Sequence, residues 1–383
     1  MGARPAKPSA GTMLELIRNG TAVTRADMAR YTGLARSTVS QRLEPLIARQ
    51  LVHEIGASSP TGGRPGTVLA FNPGAGALLV ADIETQRSRL AVSDLAGVVL
   101  EAETVALGSA RGPEDLLEHL DHRFLALLKR AGRRLTDVRG VGVAVPGPVA
   151  EADGVAATSP HLPGWDGFPI RDWLAARYDA TTVVDKRANL MALGEHTTYW
   201  AEVQHLLFVI AGNEIACGIV AAGELCRGAQ GLAGEIGHLP IADRAGVTCA
   251  CGNQDCLEAV AGRSAIEARL GVEDVVALAH AAEPDAVAAV RQAGRRIGEA
   301  LSTCVSFFEP EAIVVGGELA RASQPLFAGI REQMARRSLP VGTESIRIVT
   351  SRLGERAAIV GAARLLAEQV LMPEAIDRSL RVA

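Results

Sequence analysis

No apolar run in this chain approaches the ~18 residues that a membrane-spanning helix needs, and the opening MGARPAKPSAG lacks the apolar core of a secretory signal. Lysine is nearly missing: only three of the 39 basic residues are lysines, a bias of codon usage rather than of mechanism. Charged residues make up only 21% of the chain against 48% hydrophobic, which excludes disorder as the dominant state. The expectation is a soluble, cytoplasmic protein without a membrane partner. Its 383 residues leave room for two or three domains and a large buried core.

What is there is unevenly placed. Residues 1–66 carry nine basic and four acidic side chains, whereas the remainder carries 30 basic and 39 acidic. A basic head on an acidic body predicts an anionic partner for the head alone. Residues 1–11 read as a flexible arm, being Pro-, Gly- and Ala-rich without periodicity. Three short helical patterns follow. Leu14 and Ile17 mark the first, Thr24 is the expected N-cap of the second, and Gly33 sits in the turn after it. The third begins near Arg36 and repeats Val39, Leu43, Leu46 and Ile47 at helical spacing. Leu51–Ile55 and Thr67–Phe71 then alternate like strands around the tip SSPTGGRPG. Residues 12–72 therefore read as a winged helix-turn-helix.

Beyond Asn72–Gly76 the pattern becomes α/β. Strands are expected at Leu78–Ile83, Arg89–Ser93, Val98–Thr104 and Val138–Val145, with an amphipathic helix at Pro113–Ala131. A similar order returns at His205–Ala211, Ile215–Ala221 and Ala312–Val315, which predicts two related lobes, 77–190 and 191–350, with a ligand cleft between them. The helix Glu355–Val370 is expected to pack on the first lobe.

The exposed face of the third helix offers Arg36, Ser37, Thr38, Ser40, Gln41 and Arg42. Arg pairs bidentately with guanine, Gln with adenine, and hydroxyls with phosphate or base, so these types suit a major-groove helix. At the wing tip, Arg64 between Gly63 and Pro65 suits a narrow minor groove. The predicted partner is a double-stranded DNA operator.

His238, Cys249, Cys251 and Cys256 follow the spacing H-x10-C-x-C-x4-C, one imidazole and three thiols, the tetrahedral donor set that zinc prefers. With four protein ligands, such a Zn2+ site is structural rather than catalytic. Cys217, Cys226 and Cys304 read as small buried hydrophobes.

Together the motifs Val143–Val149 (VAVPGPV), Ala188–Glu195 (ANLMALGE), Arg227–His238 (RGAQGLAGEIGH) and Cys249–Glu258 (CACGNQDCLE) make the chain resemble the ROK family of repressors and sugar kinases. One departure is Asp255, where the family usually has Gly. The resemblance implies a two-lobed actin/hexokinase-like (ribonuclease H-like) fold and, with the winged head, a sugar-responsive transcription factor. It also implies sugar contacts at Glu235, His238 and Glu258, with the loop Ser159–Trp165 adding His161 where Asn is common. Carboxylates suit that task because they accept paired hydroxyls in directional hydrogen bonds.

The kinase features do not carry over. Where kinase members have D-I-G-G-T, this chain has Asp82-Ile83-Glu84-Thr85, and where they have G-T-G it has Gly212-Asn213-Glu214. The catalytic base directly before A-N-x-x-A-L-G-E is replaced by Arg187, with Lys186 preceding it. A guanidinium stays protonated and cannot take a hydroxyl proton. The chain is therefore expected not to be an enzyme but a regulator, most simply a repressor of carbohydrate metabolism. Arg187 and Lys186 leave two readings open: a cleft selecting a phosphorylated or acidic sugar, or an Arg187 paired with Asp82 or Asp185 that closes an unused cleft and leaves an effector-independent regulator. A sugar kinase with a DNA-binding head is the alternative. Palindromic half-site logic and the resemblance imply a homodimer or homotetramer.

Overall fold

The computed structural model describes residues 8–57, 67–107, 112–150, 154–156, 161–241, 246–337 and 345–381. The head opens with helix α1 (Ala10–Arg18), whose first turn is capped by the Ser9 hydroxyl accepting from the Thr12 amide at 3.2 Å. The arm expected over residues 1–11 is therefore shorter, because a capped helix already starts at Ala10. Helix α2 (Arg25–Thr32) is capped by Thr24, which accepts from the Asp27 amide at 3.1 Å, and ends at Gly33 with φ +69°. Helix α3 (Arg36–Ala48) turns Val39, Leu43 and Leu46 into the core. Strands β1 (Val52–Ala57) and β2 (Thr67–Phe71) pair antiparallel, Val52 opposite Phe71 and Ala57 opposite Thr67, as a wing requires. The wing tip with Arg64 lies outside the described residues.

The body contains two five-stranded sheets of the same design. In the first, β3 (Ala77–Ile83), β4 (Arg87–Ser93), β5 (Val99–Ala106), β6 (Val138–Val145) and β9 (Thr181–Lys186) lie in the order β5-β4-β3-β6-β9. The short pair β7 (Val149–Ala150) and β8 (Val155–Ala156) stands apart. In the second sheet, β10 (Leu206–Ala211), β11 (Ile215–Ala221), β12 (Glu224–Cys226), β13 (Ala312–Gly316) and β14 (Arg347–Thr350) repeat it as β12-β11-β10-β13-β14. Each is a three-strand antiparallel meander extended by two parallel strands. Every residue of β3 and of β10 is buried, as expected of central strands covered on both faces. Helices α4 (Pro113–Arg130) and α5 (Ile170–Tyr178) serve the first sheet. In the second lobe, α7 (Leu257–Ala261), α8 (Arg263–Leu270), α9 (Val275–His280), α10 (Pro284–Phe308) and α11 (Ser323–Arg337) supply the cover.

Between the sheets run α6 (Arg187–Tyr199) and α12 (Ala357–Val370), which cross at backbone contact. A Cβ on Gly361 would stand 1.8 Å from the Leu190 carbonyl oxygen, and one on Gly194 2.3 Å from that of Ala357, so only glycine fits at the crossing. The α12 helix lies on the first sheet as expected, whereas the boundary expected at residue 190 falls inside α6, which packs on β10 and β11 as well.

A last helix, α13 (Pro373–Arg381), is not foreseen in the sequence. It docks against α1: the Gly11 amide donates to Asp377 Oδ1 at 2.9 Å, and a Cβ on Gly11 would sit 2.2 Å from the Pro373 carbonyl oxygen. One apolar core consequently runs through Met13, Leu14 and Leu43 of the head, Leu95 of the first lobe, and Leu371 and Ile376 of the C-terminal region. Among the described residues no helix is long and apolar enough to cross a membrane.

Candidate functional site

Three sites can be built from the residues upward. On the head, the core stripe of α3 leaves the opposite face free. Arg36, Ser37 and Gln41 are exposed, while Thr38, Ser40 and Arg42 are half-buried. None of the six side chains forms a hydrogen bond or ion pair among the described residues. The face thus presents unspent donors and acceptors.

The second site lies where η-turn Ile236–His238 meets the cysteine block. His238 Nδ1 stands 3.7 Å from Cys249 Sγ, Cys251 Sγ stands 3.7 Å from Cys256 Sγ, and all four donor atoms lie within 4.8 Å of one another. Tetrahedral ligation with bonds of about 2.3 Å has sulfur–sulfur edges of about 3.8 Å, so the four are spaced to hold one metal ion. Gly252 at φ +93° makes the knuckle between the sulfurs. Asp255 adopts φ +57°, a conformation that favours Gly. Asp tolerates it because its carboxylate turns back to accept from the Val247 amide at 2.9 Å. Of the remaining thiols, Cys217 is buried as expected, but Cys226 is exposed on the edge strand β12 and Cys304 is only half-buried.

The third site is the cleft at the carboxyl ends of the central strands. Gly234, at φ +88°, lets the loop before His238 lie flat on β11, since a Cβ there would meet the Cys217 carbonyl oxygen at 2.0 Å. This brings Glu235 beside Lys186, whose ammonium donates to Glu235 Oε1 at 2.9 Å and to the Ala233 carbonyl. One Glu258 oxygen stands 3.1 Å from His161 Nε2, and the other accepts from the Ile215 amide at 2.8 Å. Glu235, His161 and Glu258 are therefore gathered at one cleft as the sequence predicts, and His238 adjoins them through the metal loop. Asp185 ties Asn189 and Arg227 to the same wall, at 2.8 Å each.

Arg187 sits apart from that group. Its Nε donates to Asp82 Oδ1 at 2.8 Å and its Nη2 to Glu84 Oε1 at 2.9 Å, while Nη1 stands 3.6 Å from Glu214. Arg89 joins the same two first-lobe acids and reaches Glu355 at 2.7 Å. Arg87 binds Glu84 at 2.9 Å and Glu355 at 3.2 Å, and faces Glu318 at 3.9 Å. With Arg321 3.9 Å from Glu355, four guanidinium groups thus face five carboxyl groups from both lobes, in the place where the kinase phosphate loops would lie. The cavity left there is about 130 Å³, below the few hundred Å³ of ordinary small-molecule pockets.

The charges respond to this crowding. Burial raises Asp82 despite Arg187 beside it, whereas at Glu84 the cations Arg187 and Arg89 outweigh burial and hold the carboxyl low. Burial pushes Glu214 up to about 7, against the opposing pull of Arg187 and His161. Burial disfavours the charged His161, but the hydrogen bond and charge of Glu258 more than restore it and hold the imidazole above its ordinary value. Among the described residues, Glu214 Oε1 and Asn189 Oδ1 are buried acceptors without a hydrogen-bond partner. In the sequence Glu214 reads only as an acid spoiling a phosphate loop; the structure turns it toward His161, Glu235 and Glu258.

Residues 80–369 match the ROK family. Over 371 residues the chain is 27% identical to the xylose repressor of Bacillus spizizenii strain W23, covering 94% of each protein. It is 32% identical over 256 residues to the glucokinase of Thermotoga maritima, covering 60% of this chain and 80% of that one. A crystal structure of a ROK family transcriptional regulator, a homolog of the Escherichia coli MLC protein, superposes with a TM-score of 0.79 at 25% identity over 98% of both chains. Head, twin lobes and cysteine block together place the chain in the ROK family, with the actin/hexokinase-like fold of its sugar kinases and the domain arrangement of its transcriptional regulators.

Proposed function

We propose that this chain is a DNA-binding transcriptional repressor of carbohydrate metabolism whose kinase-like body senses an uncharged sugar. The observation that carries the reading is Arg187. It occupies the place of the catalytic base, cannot accept a proton, and is held in place by Asp82 and Glu84. The body is therefore not a kinase. The same pairing argues against a phosphorylated effector, because Lys186 and Arg187 are already matched.

The sugar contacts are Glu235, His238 and Glu258, with His161 beside them and the unpartnered oxygens of Glu214 and Asn189 offering further acceptors to hydroxyl donors. The cluster of His238 with Cys249, Cys251 and Cys256 holds a structural Zn2+, which would fix the loop carrying Glu235 and leave His238 Nε2 for a hydroxyl. The DNA contacts are Arg36, Ser37, Thr38, Ser40, Gln41 and Arg42, with Arg64 at the wing. A homodimer or homotetramer in the cytoplasm would present paired heads to a palindromic operator.

A chain of packed elements links the two functions: α6 starts at Arg187 in the cleft, crosses α12, and α12 runs on into α13, which holds α1 of the head. Ligand shifts DNA affinity only by its differential binding to two arrangements of these elements. Titration calorimetry of neutral hexoses and pentoses against their phosphates tests the cleft, and a coupled ADP-release assay tests the loss of catalysis. Binding of one neutral sugar without turnover is the expected result; tighter sugar-phosphate binding, or turnover, contradicts the reading. The pairs Lys186–Glu235 and His161–Glu258 favour one second reading, an effector-independent regulator, which predicts no heat with any sugar.

A further inference from the structure

Along the seam between head and body runs an open groove of about 630 Å³, lined by none of the residues of the inter-lobe site and much roomier than the 130 Å³ left there. Its floor is apolar: Leu51 of the head, Leu95 and Val138 of the first lobe, Val370 and Leu371 at the end of α12, and Ile376 of α13. Its rim carries Arg49, Arg139 and Arg378, drawn from three distant parts of the chain. Arg139 donates only to the carbonyls of Thr136 and Val138, and none of the three guanidinium groups meets a carboxylate among the described residues. Asp179 is the single acid in the lining.

Elsewhere on the first lobe arginines are spent differently. Arg123 and Arg130, for instance, are both turned onto Glu103. An apolar floor under unmatched guanidinium groups has a complementary ligand: a small organic anion with an apolar body and a carboxylate or phosphate head. Guanidinium forks grip such heads bidentately, and the volume lies within the range of pockets that enclose small molecules. A purely polar anion would leave the floor wet, and an uncharged hydrocarbon would leave the arginines unused.

We propose that this seam is a second ligand site, selective for small amphipathic anions and independent of the sugar cleft. It does not rest on the DNA-binding reading. Because its walls come from the turn after α3, the first lobe and α13 together, a ligand there also braces the head against the body.

Calorimetry on the full chain tests this, with decanoate and decyl phosphate below their micellar range as probes and acetate and decanol as controls. The expected result is saturable binding of at least one amphipathic anion, at least tenfold tighter than either control. Two variants fix the place: R139S/R378S removes rim charge from exposed positions, and A375W fills the cleft without touching charge. Each should weaken binding at least tenfold while circular dichroism and the melting temperature of the free protein stay unchanged. No saturable binding of either probe in the millimolar range would overturn the proposal, as would equal affinity in both folded variants or equal affinity for decanol.

Discussion

Glu214 carries a charge that its surroundings resist. Its carboxyl is pushed from the ordinary 4.5 up to about 7 by burial, a rise worth roughly 3 kcal/mol at about 1.4 kcal/mol per pH unit. A folded-state value above the unfolded one means that this group stabilises the fold fully below about 4.5 and gives that contribution up as pH rises through 7. The E214Q variant, which keeps the shape and drops the charge, is expected to be more stable than the parent by about 1–3 kcal/mol at pH 8 and no more stable near pH 5. Urea unfolding at the two pH values checks this. The metal residues make a second prediction. Cys251 is exposed, so C251S costs little packing; it should nevertheless lower bound zinc from about one equivalent per chain to a small fraction and lower the melting temperature, read by metal analysis after chelator dialysis. At this scale the sequence is legible wherever chemistry depends on residue type and spacing, as with His238, Cys249, Cys251 and Cys256, which the fold brings within 4.8 Å of one another. Glu214 and Asn189 were not legible as cleft groups, because their meaning depends on which partners they fail to find.

At the scale of elements, the central strands announce themselves: ALLVA and LLFVIA are continuous apolar runs, and both strands are buried throughout. The α6 boundary is hidden for the same reason, since its residues 187–192 are all buried and no polar face marks which lobe they serve. Helix α13 was missed because Pro373 reads as an ending and only Ile376 and Leu380 repeat beyond it. Two predictions belong here. G361A places a methyl against the Leu190 carbonyl, where even its first carbon would be 1.8 Å from the oxygen. It should destabilise the fold by about 3 kcal/mol or more, seen in denaturant unfolding. Truncation after Met372 removes α13 and opens the core around Met13 and Leu14; limited proteolysis should then cut the head first while the body keeps its metal.

For the whole molecule, the proposal joins a DNA-reading head to a body whose two lobes meet through a lattice of arginines and acids. Alanine at Arg36 or Gln41 is expected to weaken specific binding by about 1–3 kcal/mol each without altering the melting temperature, because neither side chain touches the core. The twin lobes were legible from a strand order that occurs twice; the shared core of head and body was not, since it forms from segments over 350 positions apart that meet only in the fold. The measurement that tests the central claim most directly is fluorescence anisotropy of the full chain on its own upstream DNA at roughly physiological salt, titrated with a panel of neutral sugars and their phosphates. The account predicts specific binding over random DNA that one neutral sugar shifts at least several-fold. Equal affinity for random DNA, or a shift driven by a sugar phosphate instead, would contradict it.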